Sequence, residues 1–140
     1  MSKTTVTTSG AIRNKSSGGK RADLGGMYFR SSWEANWARY LNWLQLNGNI
    51  QSWEFEPDTF EFPVIRGSKF YTPDFKIKNI GGSVEYHEVK GWFDQKSQTK
   101  MKRMEKYYPH IKVILIQSKS YYDMAKKIGK SFPGWEGATS

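Results

Sequence analysis

The chain has no cysteine, which excludes disulfides and thiolate zinc sites and fits a reducing compartment. It has no apolar run of membrane-spanning length, so no membrane partner is expected. Its Thr- and Ser-rich N-terminus lacks the apolar segment of a secretory signal, and a cytoplasmic location follows as the expectation. Histidine is scarce: His87 and His110 have no partner at metal-ligand spacing. No internal repeat is visible. Acidic residues are the minority, 13 against 22 Lys and Arg, for a net charge of +9. A basic protein of this kind usually meets nucleic acid or another acidic surface. Aromatic residues, by contrast, are abundant. They make up 16% of the 140 residues and include six Trp, in a length that suits one domain with one modest core.

The charge is segregated. Residues 1–30 and 95–130 are strongly basic, whereas 31–94 carry a net negative charge. Acids in the middle and bases on the flanks suit a metal site between phosphate-gripping arms. Solubility alone gives no reason for this division.

Residues 1–26 are rich in Ser, Thr, Gly, Lys and Arg and poor in large apolar residues. They read as a flexible basic arm, with Arg13, Lys15, Lys20 and Arg21 as phosphate contacts. A domain at 27–131 and a loose tail at 132–140 complete the expected organisation. A helix is predicted over 32–46: Ser31 and Glu34 fit a capping box, Trp33, Trp37, Leu41 and Leu44 make one apolar stripe, and Gly48 fits the position past the end. Strands are expected at 51–55, 59–64, 75–80 and 83–90, with a turn at Gly81-Gly82. A basic helix follows at 95–107, stopped by Pro109. Ile111–Ile116 suits a central buried strand, and Ser120 caps a last helix to about Ile128. The fold class is α/β (mixed), a central mixed β-sheet flanked by helices.

The chemistry concentrates in Tyr71-Thr72-Pro73-Asp74-Phe75 and Glu88-Val89-Lys90-Gly91. An Asp, then a Glu and a Lys two apart, can hold a divalent cation beside a phosphodiester. Alternate side chains of a strand share a face, so Glu88 and Lys90 point the same way and His87 points away from them. Whether Asp74 joins them depends on the hairpin. A two-residue Gly81-Gly82 loop sets Asp74 opposite Val89, on the wrong face. A three-residue Ile80-Gly81-Gly82 loop, or a bulge near Pro73, sets Asp74 opposite Glu88. The sequence permits both arrangements.

These segments resemble the PD-(D/E)XK nuclease superfamily, and more closely the endonuclease I-type Holliday-junction resolvases of phages and related small phage nucleases. Tyr28-Phe29-Arg30-Ser31-Ser32-Trp33-Glu34 extends the similarity, which runs loosely from about 28 to 117. The resemblance implies a restriction-endonuclease-like core, catalytic roles for Glu34, Asp74, Glu88 and Lys90, a homodimer, a branched DNA substrate and, if phage-encoded, a host cytoplasmic location. Glu34 then has two readings, helix cap and metal ligand. The chain lacks the long C-terminal extension of those resolvases.

Mg²⁺ keeps several waters and binds through one or two carboxylates. The expected ligands are Asp74 and Glu88, the Val89 carbonyl and Glu34, for one or two ions, with Mn²⁺ as a substitute. Lys90 would orient the nucleophile or stabilise charge on phosphorus. Lys96, Lys100 and Arg103 share one helix face that follows the candidate strand, and with Arg30 they are expected DNA contacts. No helix carries Asn, Gln and Arg at base-reading spacing. Three functions compete: a metal-dependent, structure-selective DNA endonuclease, a sequence- or end-specific duplex endonuclease, and a non-catalytic basic DNA-binding protein. Carboxylates among the phosphate contacts argue against the third.

Overall fold

The computed structural model describes residues 18–137. Arg13 and Lys15 lie outside the described residues. The chain divides into two compact units. One comprises the segments up to Tyr40 and from Tyr122 onward, the other Leu41–Tyr121.

In the first unit, β1 (Gly19–Arg21) and β2 (Met27–Phe29) pair antiparallel. A short 3-10 turn and the left-handed Gly25 lie between them. α1 (Ser32–Leu46) has the predicted bounds. Ser31 Oγ accepts from the Glu34 backbone N–H at 3.2 Å, as the capping box requires. The Glu34 carboxylate reaches back to the Arg30 N–H at 3.0 Å, one residue before the expected position. Burial on α1 goes beyond the apolar stripe: Glu34, Asn36 and Arg39 are buried alongside Trp37.

That burial corrects two boundaries. Residues 18–26, expected in a flexible arm, form β1 and the turn after it, with Arg21 and Leu24 buried. The tail segment around Glu136 is not loose. Glu136 accepts from Arg21 Nε at 2.7 Å and lies 3.0 Å from Arg39 Nη1, and Asn36 Nδ2 donates to the Glu136 carbonyl at 2.7 Å. Arg39 Nε also donates to Asp23 at 2.8 Å. Buried guanidinium groups need carboxylate partners, and the turn and the tail supply them. Arg21 is therefore corrected from phosphate contact to structural ion pair, at 8% exposure.

The second unit holds a four-stranded mixed sheet in the order β3 (Ile50–Phe55), β6 (Phe75–Asn79), β7 (Val84–Val89), β8 (Val113–Ile116). β3, β6 and β7 are antiparallel neighbours and β8 runs parallel to β7. β4 (Phe60–Glu61) and β5 (Phe70–Tyr71) form a separate ribbon. α2 (Gln95–Tyr107) follows β7, and α3 (Ser118–Ile128) starts two residues before the expected cap. The protein is thus mixed α/β. Past α1, the Gly48 N–H bonds the Gln45 carbonyl and the Asn49 N–H bonds that of Leu44, with Gly48 at a φ of 73°; this is a Schellman ending.

Two strand expectations change. The strand expected over 59–64 stops at Glu61, because the Val64 N–H bonds the Phe62 carbonyl and the chain turns around Pro63. Ile111–Ile116 was expected to be central, but β8 is an edge strand and most of it is half-buried. It pairs with β7 on one side, and among the described residues no strand pairs with its other edge. On one face of the sheet Trp53 and Phe55 pack on Phe75, and Trp53 Nε1 donates to Asn42 of α1. The other face meets the ribbon and α2: Phe60 stacks edge-on against Tyr86, while Phe62, Tyr71 and Met104 form a buried cluster edged by Met101, Ile111 and Val113.

Candidate active site

The β6–β7 hairpin decides the site. Its pairs run Phe75↔His87, Lys76↔Tyr86, Ile77↔Glu85 and Lys78↔Val84, the register of the three-residue loop. The Asn79 N–H bonds the Ser83 carbonyl at 2.7 Å and the Gly82 N–H bonds that of Asn79 at 2.9 Å. Gly81 and Gly82 have φ of 97° and 98°, where a side chain would be strained. One further step in this register sets Asp74 across from Glu88. Asp74 Oδ2 accepts the Val89 N–H at 2.8 Å, and the Glu88 carboxylate receives a backbone hydrogen bond from Asp74. The two acids thus share one end of the hairpin.

Asp74 is 3% exposed. Glu88 is half-buried, and Tyr71 donates its hydroxyl to Glu88 Oε1 at 2.8 Å. Burial pushes Glu88 above the usual carboxylate range, against the pull of the Tyr71 hydroxyl and the Lys90 and Lys100 charges. The Tyr71 hydroxyl is pushed up as well, by burial and by the adjacent Glu88 and Asp74 charges, so it stays a donor. Lys90 follows on the same side: its backbone N–H bonds the Ile116 carbonyl at 2.9 Å, which anchors it to β8, and its charge acts on Glu88. The hard oxygen donors fit Mg²⁺: Asp74, Glu88 and the neighbouring Val89 carbonyl, completed by water. Among the described residues no group of three or more His, Cys, Asp or Glu is placed to hold a metal ion.

Glu34 lies in the first unit, where Arg30 ion-pairs with it at 3.3 Å. The capping arrangement accounts for its geometry, and Arg30 is correspondingly engaged. Lys20 is exposed on β1. His87 lies on the opposite face from Glu88, buried and 2.7 Å from Glu85, as alternation predicts. Burial lowers its pKa against the pull of Glu85.

The expected basic face of α2 splits. Lys96 and Lys100 line a groove of about 440 Å³ with Gln95, Thr99, Gly67, Ser68 and Phe70. Arg103 does not join them. Its Nη1 donates to the Ser68 carbonyl at 2.6 Å and its guanidinium lies against Gly67, which pins the β4–β5 loop on α2. Asp94 caps α2 by accepting the Ser97 N–H at 2.8 Å. Sequence reasoning missed Tyr71 as the partner of Glu88. No local signal marked it: three residues before Asp74, strict alternation would turn Tyr71 to the other face, and it reaches Glu88 because β5 belongs to a separate ribbon.

No helix among the described residues is long and apolar enough to cross a membrane. No curated protein matches the chain. A family model described as a protein of unknown function, DUF1064, matches residues 13–123, a span that includes Asp74, Glu88 and Lys90. With most of its length matched, the chain belongs to the DUF1064 family.

Proposed function

We propose that the protein is a Mg²⁺-dependent DNA endonuclease, acting as a homodimer on branched DNA, with a restriction-endonuclease-like core. The observation that supports this reading is the hairpin register that sets Asp74 and Glu88 together beside Lys90. Asp74 is buried and Glu88 half-buried beside it, and desolvation already disfavours the charge on Glu88. A divalent cation relieves that cost, and a non-catalytic DNA-binding surface gains nothing from it. The segregated charge and the resemblance of the motif segments support the same reading.

When bound, the cation supplies Lewis acidity at the phosphoryl oxygens and a water of lowered pKa. The chain's own groups do the rest. Asp74 and Glu88 would hold the cation, the Tyr71 hydroxyl donates to Glu88 and fixes its rotamer, and Lys90 would stabilise the negative charge that develops on phosphorus. Glu34 enters only through the resemblance, as a candidate further ligand.

The test is a gel assay of a four-way junction and its matched linear duplex, with Mg²⁺ or with EDTA. Junction cleavage that requires Mg²⁺ and is lost in Asp74→Ala, Glu88→Ala and Lys90→Ala, with binding retained, is the expected result. Cleavage at wild-type rates by either carboxylate variant would overturn the assignment. Cuts that follow one short sequence regardless of branching would replace the junction reading with a site-specific duplex endonuclease.

A further inference from the structure

The β4–β5 ribbon has a surface that the catalytic reading leaves unused. Phe70 is 55% exposed on β5, next to buried Tyr71, and Ile65 in the connecting loop is 98% exposed. Arg66 and Lys69 flank them, with Lys69 Nζ 5.7 Å from the centre of the Phe70 ring. Arg103 fixes this loop on α2 through the Ser68 carbonyl, so the exposed ring sits on a held element. Between the ribbon and α2 runs the 440 Å³ groove, with Phe70 on one wall and Lys96 and Lys100 on the other. Neither lysine has an ion-pair partner among the described residues. Lys100 links the groove to the candidate active site: its Nζ lies 6.0 Å from the centre of the Tyr71 ring, and Tyr71 donates to Glu88.

An exposed aromatic ring facing two lysines is complementary to a strand with a negative backbone and flat bases. In a duplex the faces of each base are covered by its neighbours, and a base must leave the stack to offer one. We propose that this groove binds an unpaired segment of the DNA strand beside the scissile phosphate, with a base stacked on Phe70 and phosphates on Lys96 and Lys100. The inference rests on the nuclease reading for its location and adds a source for the branch preference, since branched DNA can offer unstacked nucleotides where linear duplex does not.

The test uses the full chain carrying Asp74→Asn, in EDTA, with fluorescence anisotropy on labelled oligo(dT), oligo(rU) of equal length and a blunt duplex. Phe70→Ala should weaken oligo(dT) binding by roughly 5- to 150-fold, the range for loss of one stacked base, and leave duplex affinity within about twofold. Phe70→Leu, which keeps the apolar volume, should lose the same discrimination, and Phe70→Trp should retain it. The Leu and Trp pair decides the question if the Ala variant fails to fold. Unchanged oligo(dT) affinity, or equal losses on oligo(dT) and duplex, would overturn the groove. A Phe70-dependent preference for oligo(rU) would assign it to RNA instead. Dissociation of a dimer by Phe70→Ala would mean that a second copy of the chain covers this face. If the wild type cuts no DNA but the binding pattern holds, the nuclease reading fails and the groove stands. If it cuts junctions but Phe70 is silent, the reverse is true.

Discussion

Replacing Tyr71 with Phe isolates the contact that positions Glu88. The ring stays in the cluster with Phe62 and Met104, so no large cavity forms. What is lost is one hydroxyl donated to a carboxylate at 2.8 Å. Hydrogen bonds to charged groups contribute about 1.5–3 kcal/mol and those between neutral groups about 0.5–1.5. For a chain of this size the larger figure lowers Tm by about 6–12 °C. The pH dependence carries the sign. Burial raises Glu88 above its ordinary value, so its ionised form weakens the fold above the native pKa, and protonation at lower pH relieves that cost. Tyr71 offsets part of the cost only where Glu88 is charged. Tyr71→Phe should therefore destabilise the protein more near pH 8 than below the ordinary carboxylate value of 4.5 in urea unfolding with EDTA present. In a double-mutant cycle with Glu88→Gln, most of the loss should disappear. Equal losses at both pH values, together with additive single mutants, would refute the reasoning and leave Tyr71 as a packing residue only.

Other consequences are open to direct measurement. Hydrogen bonds from Arg39 hold Asp23 below its ordinary value of 3.8. Burial pushes Glu136 up from 4.5, but Arg21 and Arg39 outweigh it and leave it lowered. Their stabilisation is complete above the ordinary values and is lost as pH falls through the native ones, so acid unfolding followed by circular dichroism should begin at higher pH in wild type than in the double variant Asp23→Asn/Glu136→Gln, measured relative to each protein's own stability at neutral pH. Gly81→Ala should cost about 1 kcal/mol or more because of its positive φ, although no atom lies within 4 Å of the added carbon; an unchanged urea midpoint would contradict this. Deleting Gly82 leaves a two-residue loop that turns the buried Tyr86 and Val89 over, and should lower the urea midpoint as well as remove any Mg²⁺-dependent cleavage in the gel assay. Arg103→Met should raise hydrogen exchange in the β4–β5 loop, since the Ser68 carbonyl loses its donor, and leave exchange in β3 unchanged.

The long helices were legible because their signals are local. Ser31, the Trp37 and Leu41 stripe and Gly48 mark α1 at both ends, and Pro109 lies just beyond α2. Residues 18–26 misled because composition reports what a segment lacks, and Gly, Lys and Arg do look unstructured. Their order comes from Arg21 and Arg39 meeting Glu136 more than ninety residues away, a pairing with no local trace. Arg103 shows the same limit. Helical spacing puts it in line with Lys96 and Lys100, but the Ser68 carbonyl that claims it belongs to a loop whose path follows from the turn at Pro63. β8 was placed at the centre because an apolar run suits burial on both faces, and its position at the sheet edge depends on strand order, which periodicity does not encode.

The candidate site falls between these cases, and its dependence on register explains how few residues separate a scaffold from a site. Sequence alternation brings Glu88 and Lys90 to one face without help. Asp74 reaches that face only because Ile80, Gly81 and Gly82 form a three-residue loop, since one residue fewer would turn every side chain on one strand to the other face of the pairing. The observed register also carries the core. Phe75 and Ile77 are buried in the pairing that sets Asp74 by Val89. A slip of β7 against β6 that separated the two carboxylates would also turn the buried Val89 off the face it shares with Phe75 and Ile77. Apolar packing on one face therefore holds two like charges together on the other. Burial makes the charge on Glu88 costly even with Lys90 and Lys100 acting on it, and a cation shared by Asp74 and Glu88 would offset that cost further.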